Sequence, residues 1–250
     1  MSGPWKTAWI TGASHGIGRA LAEQLADGGV TVAVSARGET VLQGLHEAQP
    51  GIVPFPLDVT DEAAVAATLE AIEHRNGLPD LAILNAGIYE PRDAAAVTAE
   101  DYRRHMEVNY LGVTNCLAVL LPRMLARGTG QIAIVGSVAG YRGLPQAAAY
   151  GPTKAALNNL AETLRLELQD SGVDIRLVSP GFVATRLTDK NSFAMPAIMT
   201  PAAASAAIIK GLQSKRFEIA FPRRFVAWLK FARILPWGLY GSLVRRITKQ

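Results

Sequence analysis

Tyr150 and Lys154 lie four residues apart, so on a helix their side chains would share one face, a single turn from each other. An ammonium group beside a phenol favours the tyrosinate and lowers the phenol pKa from about 10 toward neutral pH. A phenol tuned in this way can serve as a general acid or base. The pair therefore indicates proton transfer to or from an oxygen atom of a bound molecule.

A second chemical signal is the glycine-rich turn at residues 11–18, which read TGASHGIG. The turn follows an apolar, strand-like run at 7–11 and precedes a helical run that starts at Arg19. Glycines here let the backbone approach a pyrophosphate closely, and the start of the helix offers free N–H groups and a positive dipole end. The turn therefore predicts a nucleotide-binding site.

The elements that must position these residues alternate along the chain, with short β-branched runs between longer amphipathic stretches. This pattern is typical of a parallel sheet with helices on both faces. We predict an α/β fold, a single Rossmann-type, doubly wound domain with a mainly parallel seven-stranded sheet and a C-terminal helical extension. The predicted strands are 7–11, 30–36, 52–57, 81–84, 130–135, 174–178 and 217–220. The predicted helices lie near 16–28, 39–48, 61–75 (capped by Asp61), 99–126, 148–170 and 201–213.

The G-x-x-x-G-x-G spacing of the turn resembles the short-chain dehydrogenase/reductase (SDR) family. Further motifs follow at the intervals of that family: Asp58-Val59, Asn85-Ala86-Gly87, Asn109, Ser137, Tyr150-x-x-x-Lys154 and Pro180-Gly181. The resemblance covers about residues 5–220. It implies an oxidoreductase that transfers a hydride between a nicotinamide dinucleotide and a carbonyl or alcohol.

The resemblance implies a catalytic set of Asn109, Ser137, Tyr150 and Lys154. Ser137 also follows a predicted strand, at the edge where ligands bind in open α/β sheets, and would polarise the substrate carbonyl. Tyr150 would exchange the proton, Lys154 would tune Tyr150 and bind the nicotinamide ribose, and Asn109 would support a water chain to the lysine. Pro152 is tolerated in a first helical turn, so the helix should begin near Tyr150. The expected cofactor-binding residues are Gly12, Ser14, His15, Gly16, Ile17, Gly18, Ser35, Arg37, Asp58, Val59, Asn85, Ala86, Gly87, Tyr150, Lys154, Pro180, Gly181, Val183 and Thr185.

The end of the second strand bears on the choice of dinucleotide. An acidic residue there would bind the ribose 2′-OH of NAD, but this strand runs into Arg37 and the first carboxylate is Glu39. Arg37 can pair with a 2′-phosphate, and Ser35 could donate a hydrogen bond to it. By resemblance His15 stands where many NADPH-preferring members carry a base. We therefore expect NADP(H) in preference to NAD(H).

The substrate side is less informative, because any lid contains some apolar residues. By resemblance the loop after Pro180-Gly181 and a short helix near 190–200 would close over the substrate. Tyr141 should line the pocket, Tyr110 should be a packing residue, and Arg142 and Arg186 are the bases available for an anionic group. The apolar candidates are Phe182, Val183, Leu187, Phe193, Met195, Ile198 and Met199, with Ile88 and Leu144 at other edges. These residues favour a hydrophobic carbonyl or alcohol.

Composition excludes several classes of protein. Hydrophobic residues make up 49% and charged residues 18% of 250 residues, which is typical of a globular domain with a substantial core. Cys116 is the only cysteine and the four histidines are scattered, so we expect neither a disulfide nor a metal site. We see no signal peptide and no apolar run near the roughly 20 residues of a membrane-spanning helix, so we expect a cytoplasmic protein.

Charge divides the chain into two parts. Residues 215–250 carry nine Lys or Arg and one acid, Glu218, so they are net +8 although the whole chain is only +4. Seven of the 17 aromatic residues also lie between 217 and 240. We therefore divide the chain into a catalytic domain, 1–222, and a basic, aromatic-rich helical extension, 223–250, which we call the tail.

Three interpretations of the tail stay open. It could be a helical hairpin packed on its own domain or a sister subunit beside the substrate mouth. It could instead lie on an anionic membrane, at the cytoplasmic face, with aromatics at the headgroups. Nucleic-acid binding has the charge but lacks a recognisable module, and we expect no nucleic-acid partner.

Taken together, these features predict an NADP(H)-dependent oxidoreductase acting on CH–OH groups of a hydrophobic or lipid-like substrate. The alternative from another class is a non-catalytic, dinucleotide-responsive binding protein. The helices at 99–126 and 148–170 are the usual subunit interface of the family, so the resemblance implies a homodimer or homotetramer.

Overall fold

The fold is built on one parallel sheet, which a computed structural model describes together with the rest of residues 4–191 and 195–248. Its strands are β1 Thr7–Thr11, β2 Thr31–Ser35, β3 Ile52–Pro54, β4 Leu81–Leu84, β5 Gly130–Val135, β6 Val173–Pro180 and β7 Glu218–Phe221. Their order across the sheet is β3-β2-β1-β4-β5-β6-β7, and every neighbouring pair is parallel. The predicted Rossmann-type, seven-stranded sheet is confirmed.

The strand order reverses beside β1, which pairs with β2 on one side and with β4 on the other. In open α/β sheets the ligand binds outside the carboxyl ends of the strands at such a reversal, because the flanking loops diverge there. The predicted glycine-rich turn follows β1 and the Asn85-Ala86-Gly87 motif follows β4, so both lie at this point.

Helices cover both faces of the sheet, and polar caps fix several of their starts. They are α1 Gly16–Asp27, α2 Glu39–Ala48, α3 Glu62–Asn76, α4 Ala99–Met106, α5 Gly112–Arg127, α6 Tyr150–Glu167, α7 Pro201–Leu212, α8 Arg223–Arg233 and α9 Trp237–Thr248. Asp61 caps α3, as predicted, by accepting a hydrogen bond from the Ala64 amide at 2.9 Å. Thr98 and Asp101 form a capping box at α4.

Two apolar layers form the core, one on each face of the sheet. Successive strand residues point to opposite faces, so Ile10 belongs to the layer under α1 and α7, and Trp9 belongs to the layer under α3, α5 and α6. Both side chains are fully buried. This double cover explains the nearly continuous apolar strands of the sequence.

The structure departs from the predicted elements in two places. β3 ends at Pro54 rather than near 57, and one turn of π-helix, Glu107–Leu111, separates α4 from α5 in the predicted single helix. The short helix expected near 190–200 falls partly on residues 192–194, which lie outside the described residues; before them a single 3₁₀ turn spans Thr188–Lys190. Within the described residues, the one helical stretch long and apolar enough to cross a membrane is Ala99–Arg127, with a mean hydropathy of 1.2. Its inward side chains pack in the second core layer, so it is a core helix.

Candidate active site

Backbone contact between two loops shapes the predicted phosphate site. Gly12 has a φ of +69°, and a Cβ at this position would lie 2.7 Å from the Ala86 Cα. A Cβ on Gly18 would lie 2.4 Å from the Gly12 carbonyl oxygen. Only glycine fits at either position, because the conformation and the space exclude a side chain at Gly12 and the lack of space excludes one at Gly18. The Asn85 amide donates hydrogen bonds to the carbonyls of Thr11 and Gly12, at 3.0 and 3.1 Å, and fastens the turn to β4.

The N-terminus of α1 faces the cavity above this turn. The helix begins at Gly16, and its N-cap residue, His15, makes no side-chain cap hydrogen bond. The first amides of the helix are therefore available to an anion, in the arrangement by which helix starts bind phosphates. The loop after β6 lies over the same position, because a Cβ on Gly16 would lie 2.9 Å from the Thr185 Cγ2.

A cavity of about 510 Å³ extends from the turn to the end of β2 and gathers most of the predicted cofactor residues. Those lining it are Gly12, Ser14, His15, Gly16, Ile17, Ser35, Arg37, Asp58, Val59, Asn85, Ala86, Gly87 and Thr185. Of the others, Gly18 supports the turn from below, and Tyr150, Lys154, Pro180, Gly181 and Val183 line the adjoining cavity described below. The structure thus places the predicted set around two neighbouring cavities.

Positive groups collect at one end of this cavity. The Arg37 side chain is 70% exposed, and its Nη1 lies 4.0 Å from the Asp58 Oδ2. Burial lowers the pKa of His15, and the nearby Arg186 and Arg19 lower it further. The buried Ser35 hydroxyl accepts a hydrogen bond from the Trp9 indole at 3.0 Å, which turns its oxygen toward the sheet.

The predicted catalytic residues come together above the carboxyl end of β5. Ser137 follows β5 and caps a single 3₁₀ turn, Val138–Gly140, by accepting a hydrogen bond from the Ala139 amide at 3.1 Å. Tyr150 is the first residue of α6, as the position of Pro152 predicts. Lys154 lies one turn further, where it is 4% exposed and its Nζ donates to the Val135 carbonyl at 2.8 Å.

The expected lowering of the Tyr150 pKa is wrong for the chain by itself. Burial raises the pKa of Tyr150 to about 12, and a hydrogen bond with the Ser137 hydroxyl lowers it only in part. The Lys154 Nζ lies 5.7 Å from the centre of the Tyr150 ring and is held by a backbone carbonyl, so its charge does not offset the desolvation. Burial also lowers the pKa of Lys154, to about 8.

Asn109 connects three parts of the site from within the π-helical turn. Its Oδ1 accepts from the Ile88 amide at 2.7 Å, and its Nδ2 donates to the Ile88 carbonyl at 3.0 Å and to the Thr153 Oγ1 at 3.1 Å. A Cβ on the intervening Gly87 would lie 3.1 Å from the Asn109 Oδ1 and 3.7 Å from the Lys154 Nζ. π-turns often occur at functional sites, and this one places a fully buried amide beside the lysine.

A second cavity, of about 370 Å³, opens next to the catalytic residues. It shares Ile17, Asn85, Gly87, Ile88, Thr185 and Leu187 with the first cavity. Its lining includes Ser137, Tyr150 and Lys154 and, of the predicted apolar residues, Ile88, Leu144, Phe182, Val183 and Leu187. Met195, Ile198 and Met199 do not line it, and Phe193 lies outside the described residues.

Two of the predicted pocket roles are wrong. Tyr141 does not line the cavity, because its ring is buried and its hydroxyl donates a hydrogen bond to Glu218. Arg142 is not available to a substrate, because its Nη1 donates to the carbonyls of Ala232, Arg233 and Leu235 at 2.8–3.1 Å. Tyr110 packs against the second core layer, as expected.

One of the three open interpretations of the tail, a helical hairpin packed on its own domain beside the substrate mouth, is confirmed, although sequence reasoning missed which tail residues line the cavity. Phe225, Trp228 and Leu229 of α8 and Tyr240 and Val244 of α9 form part of its wall. The amphipathic pattern of the tail indicated helices but could not show what they contact. Tyr89 was missed as well: its ring lies edge-on to Tyr150, with centres 4.9 Å apart, and its hydroxyl donates to the Asn191 Oδ1 at 2.9 Å. The one available signal was the position of Tyr89 two residues after the Asn85-Ala86-Gly87 motif.

The tail is fastened to the loop that follows Ser137. The Arg142 guanidinium lies 4.0 Å from the centre of the Tyr240 ring, and the Tyr240 hydroxyl donates to the Gly143 carbonyl at 2.7 Å. The rings of Phe182 and Phe225 are 5.8 Å apart across the end of β6. The wall of the second cavity is therefore built jointly by the sheet edge and the tail.

Comparison with known sequences agrees with this geometry. A family model described as short chain dehydrogenase matches residues 6–195. An uncharacterized oxidoreductase from Myxococcus xanthus is 36% identical over 97% of this chain and 98% of that protein. A 3-oxoacyl-(acyl-carrier-protein) reductase from Staphylococcus aureus is 32% identical over 74% of this chain and 77% of that protein.

Solved structures show the same architecture. A short-chain dehydrogenase from Streptomyces avermitilis aligns over 98% of this chain and 96% of that chain, with a TM-score of 0.80 and 27% identity. A short chain dehydrogenase/reductase from Burkholderia phymatum, solved in complex with NAD, aligns over 92% and 93%, with a TM-score of 0.83 and 25% identity. Sheet, glycine-rich turn, catalytic residues and comparisons agree, and the chain belongs to the short-chain dehydrogenase/reductase family of oxidoreductases.

Proposed function

We propose that this chain transfers a hydride between NADP(H) and the carbonyl or alcohol carbon of a hydrophobic substrate. One observation carries the proposal: Ser137, Tyr150 and Lys154 line an apolar cavity that shares part of its wall, including Gly87 and Thr185, with the cavity over the glycine-rich turn. A substrate in the apolar cavity would therefore lie next to a dinucleotide in the other cavity, with Tyr150 beside it as the proton donor.

The residues present fit a nicotinamide dinucleotide. Gly12 and Gly18 leave a cradle that a Cβ would fill, and the first amides of α1 face the place of the pyrophosphate. Lys154 lies beside Gly87, at the junction with the substrate cavity, where its ammonium would bind the nicotinamide ribose. When bound, the dinucleotide supplies or accepts the hydride.

Tyr150 and Ser137 would carry out the proton transfer to the substrate oxygen. Because the pKa of Tyr150 is raised to about 12, its phenol carries a proton at neutral pH and can donate it to a carbonyl oxygen. The Ser137 hydroxyl, bonded to that phenol, would hold the same oxygen in place. This protonation state suits reduction, in which the alcohol oxygen receives the tyrosine proton.

The preference for NADP(H) follows from charge around the adenosine end. Arg37 follows Ala36 at the end of β2, and the guanidinium groups of Arg19 and Arg186 add positive potential close to His15. A 2′-phosphate would gain from these groups, and Arg37 could leave the exposed Asp58 to pair with it. The Burkholderia relative holds NAD, so the relatives alone do not determine this choice.

The apolar character of the second cavity supports a hydrophobic substrate. Leu144, Phe182, Trp228, Leu229 and Val244 contribute to its wall around the polar catalytic groups. Apolar walls with few convergent polar groups are typical of sites that bind small apolar ligands. The Staphylococcus relative is named for an acyl substrate, which is compatible with such a site.

NADPH oxidation in the presence of a panel of carbonyl compounds, weighted toward long-chain and polycyclic ketones, tests this proposal. Tyr150→Phe should abolish turnover and leave NADPH binding, followed by nicotinamide fluorescence, nearly unchanged. Tyr110→Phe is the matched control, because Tyr110 lies outside both cavities. Full activity of the Tyr150 variant would contradict the mechanism. NADPH binding without oxidation of any panel member would favour the non-catalytic binding protein.

The cofactor choice is tested separately by the ratio of kcat/KM for NADPH and NADH. Arg37→Asp should move this ratio toward NADH by roughly tenfold or more, because it replaces an attraction to the 2′-phosphate with a repulsion. Arg75→Asp, on the exposed side of α3, is the control for a general change of charge. An equal or better wild-type efficiency with NADH would reject the preference.

We also propose a homo-oligomer, as members of the family commonly form. Leu111, Leu125 and Leu166, on the long helices, are 44%, 38% and 72% exposed. Light scattering coupled to size-exclusion chromatography should give a dimer or tetramer, and a monomer at micromolar concentration would reject this part.

A further inference from the structure

The tail presents large apolar side chains to the surroundings beside the mouth of the second cavity. Trp228, Phe231, Ile234, Trp237 and Leu239 are 38%, 60%, 77%, 72% and 61% exposed. We call these five residues the tail surface. Five large apolar side chains exposed between 228 and 239 are uncommon on an isolated domain, and such groups mark a contact with a partner or a membrane.

Positive charge surrounds the tail surface without local compensation. Residues 219–250 contain seven Lys or Arg and no Asp or Glu. Arg223, Arg224, Arg233, Arg245 and Arg246 are exposed, and none of the described carboxylates forms an ion pair with them. An anionic partner is therefore complementary to this region.

The periodicity of each helix puts arginine and apolar groups on the same outward face. Arg224 and Phe231 are seven residues apart on α8, and Leu239 and Arg246 are seven apart on α9, so each pair shares a face. Val226, Ala232 and Tyr240 point inward and are buried. An arginine on an apolar face can extend its guanidinium to a headgroup while its stem stays with the apolar groups.

We propose that the tail surface docks on a bilayer containing anionic lipid, with its aromatics at headgroup level, and that the substrate enters the second cavity from that bilayer. Trp228 connects the two, since it lines the cavity and belongs to the tail surface. The route of the substrate rests on the proposed function; the docking does not.

The tail is held in a fixed orientation toward the catalytic residues. Arg142 binds the last carbonyls of α8, and its guanidinium packs on the Tyr240 ring of α9. Lys230 pairs with Glu218, which also accepts the Tyr141 hydroxyl. Docking through the tail would therefore set how the cavity mouth faces the bilayer.

A second copy of the chain is a poorer occupant of this surface. A two-fold interface places the same patch against itself, so the arginines of one copy would face those of the other. Like charges brought together in this way repel, whereas phosphate headgroups would neutralise them.

The test is co-sedimentation of the full chain with vesicles of phosphatidylcholine alone and of phosphatidylcholine with an equal amount of phosphatidylglycerol. We expect partitioning into the anionic vesicles, weakened by salt, and little binding to the neutral ones. No binding to the anionic vesicles would overturn the proposal.

Two paired variants locate the contact. Phe231→Ser with Ile234→Ser removes apolar groups, and Arg224→Gln with Arg246→Gln removes charge; each pair should lower the partition coefficient by roughly tenfold or more. The matched control, Ile198→Ser with Arg75→Gln, changes an exposed apolar residue and an exposed arginine outside the tail and outside the proposed subunit interface, and it should bind as the wild type does. Unchanged partitioning of both tail variants would overturn the proposal. The proposal would also be overturned if the tail variants dissociated into smaller oligomers or monomers in the absence of lipid, because the tail surface would then be a contact with a second copy of the chain.

Turnover distinguishes a failure of docking from a failure of the proposed function. The four substituted tail residues do not line either cavity, so NADPH oxidation with a water-soluble ketone should be unchanged in both variants. With a long-chain ketone dissolved in the anionic vesicles, turnover should fall in parallel with partitioning. Vesicle binding without any NADPH oxidation would reject the proposed function and keep the docking, whereas unchanged vesicle turnover in both variants would reject the entry route.

Discussion

Lys154 carries a buried charge, and its stability effect can be worked out from the structure. Its side chain is 4% exposed, its Nζ donates to the Val135 carbonyl at 2.8 Å, and burial lowers its pKa from 10.5 to about 8. A basic group whose pKa is lowered by folding destabilises the folded state at any pH at which that group is charged in the fold. For Lys154 this is the range below about pH 8. Between pH 8 and 10.5 the unfolded chain binds more protons than the folded one, so this destabilisation disappears as the pH rises.

The shift sets the size of the effect. At about 1.4 kcal/mol per pKa unit, the change from 10.5 to about 8 corresponds to about 3 kcal/mol. Lys154→Met keeps the shape of the side chain and removes the charge, but it also leaves the Val135 carbonyl without this hydrogen bond, at a cost of about 1–2 kcal/mol. We therefore expect the variant to be about 1–2 kcal/mol more stable than the wild type at pH 7, and catalytically inactive.

Urea unfolding at pH 7, 8, 9 and 10, with the wild type and the variant side by side, measures this effect. Over that range the free energy of unfolding of the wild type should rise, relative to that of the variant, by most of the about 3 kcal/mol that corresponds to the pKa shift. The difference between the two proteins isolates Lys154, because burial raises the pKa of Tyr89 and Cys116, which weakens the fold at high pH in both. Lys210→Met, at an exposed site on α7, is the control and should not alter the pH profile. A constant difference across the range, or a variant less stable at pH 7, would refute the reasoning.

Three further perturbations test the site. Gly18→Ala should weaken NADPH binding by roughly tenfold or more, measured by fluorescence titration, because its Cβ would lie 2.4 Å from the Gly12 carbonyl and displace the turn. Arg142→Gln should raise KM for a hydrophobic substrate by roughly tenfold and leave the Kd of NADPH unchanged, because it frees three carbonyls of the tail and not the turn; equal changes in both constants would contradict this. Asn109→Ala should lower the free energy of unfolding by about 1–3 kcal/mol in urea, because it removes a buried amide and leaves the part-buried backbone groups of Ile88 without this partner.

The residues that local motifs predicted for the dinucleotide lie together in the structure, for a physical reason. The glycine-rich turn, the Asn85 motif and Ser137 each follow a strand directly, and strands of one parallel sheet end along a common edge. The order of strands and helices along the chain therefore predicts that the turn, the Asn85 motif and Ser137 lie close together. The contacts that leave room only for glycine at Gly12 and Gly18 involve the loop after β4 and the turn itself, and they are seen only in the folded chain.

The protonation of the catalytic pair could not be inferred in the same way. The four-residue spacing places Lys154 one turn from Tyr150, and it suggested a lowered phenol pKa. The folded chain instead leaves the phenol half-buried, buries the lysine and ties the lysine to the Val135 carbonyl. Burial depends on residues from β5, the loop after β4 and α6 together, and no local pattern encodes it.

By itself the sequence determined the sheet, the glycine-rich turn after its first strand, the positions of the predicted catalytic residues and the basic, aromatic character of the tail, because each depends on periodicity or on short spacing. Only the tertiary structure decided where the tail lies. In the structure Arg142 binds backbone carbonyls at the end of α8 and is not available to a substrate. Tyr141 lies outside the cavity, whereas Trp228 and Tyr240 form part of its wall. These outcomes depend on contacts between residues about 90 positions apart, such as Arg142 with Arg233, and a linear pattern carries no information about such distant pairs.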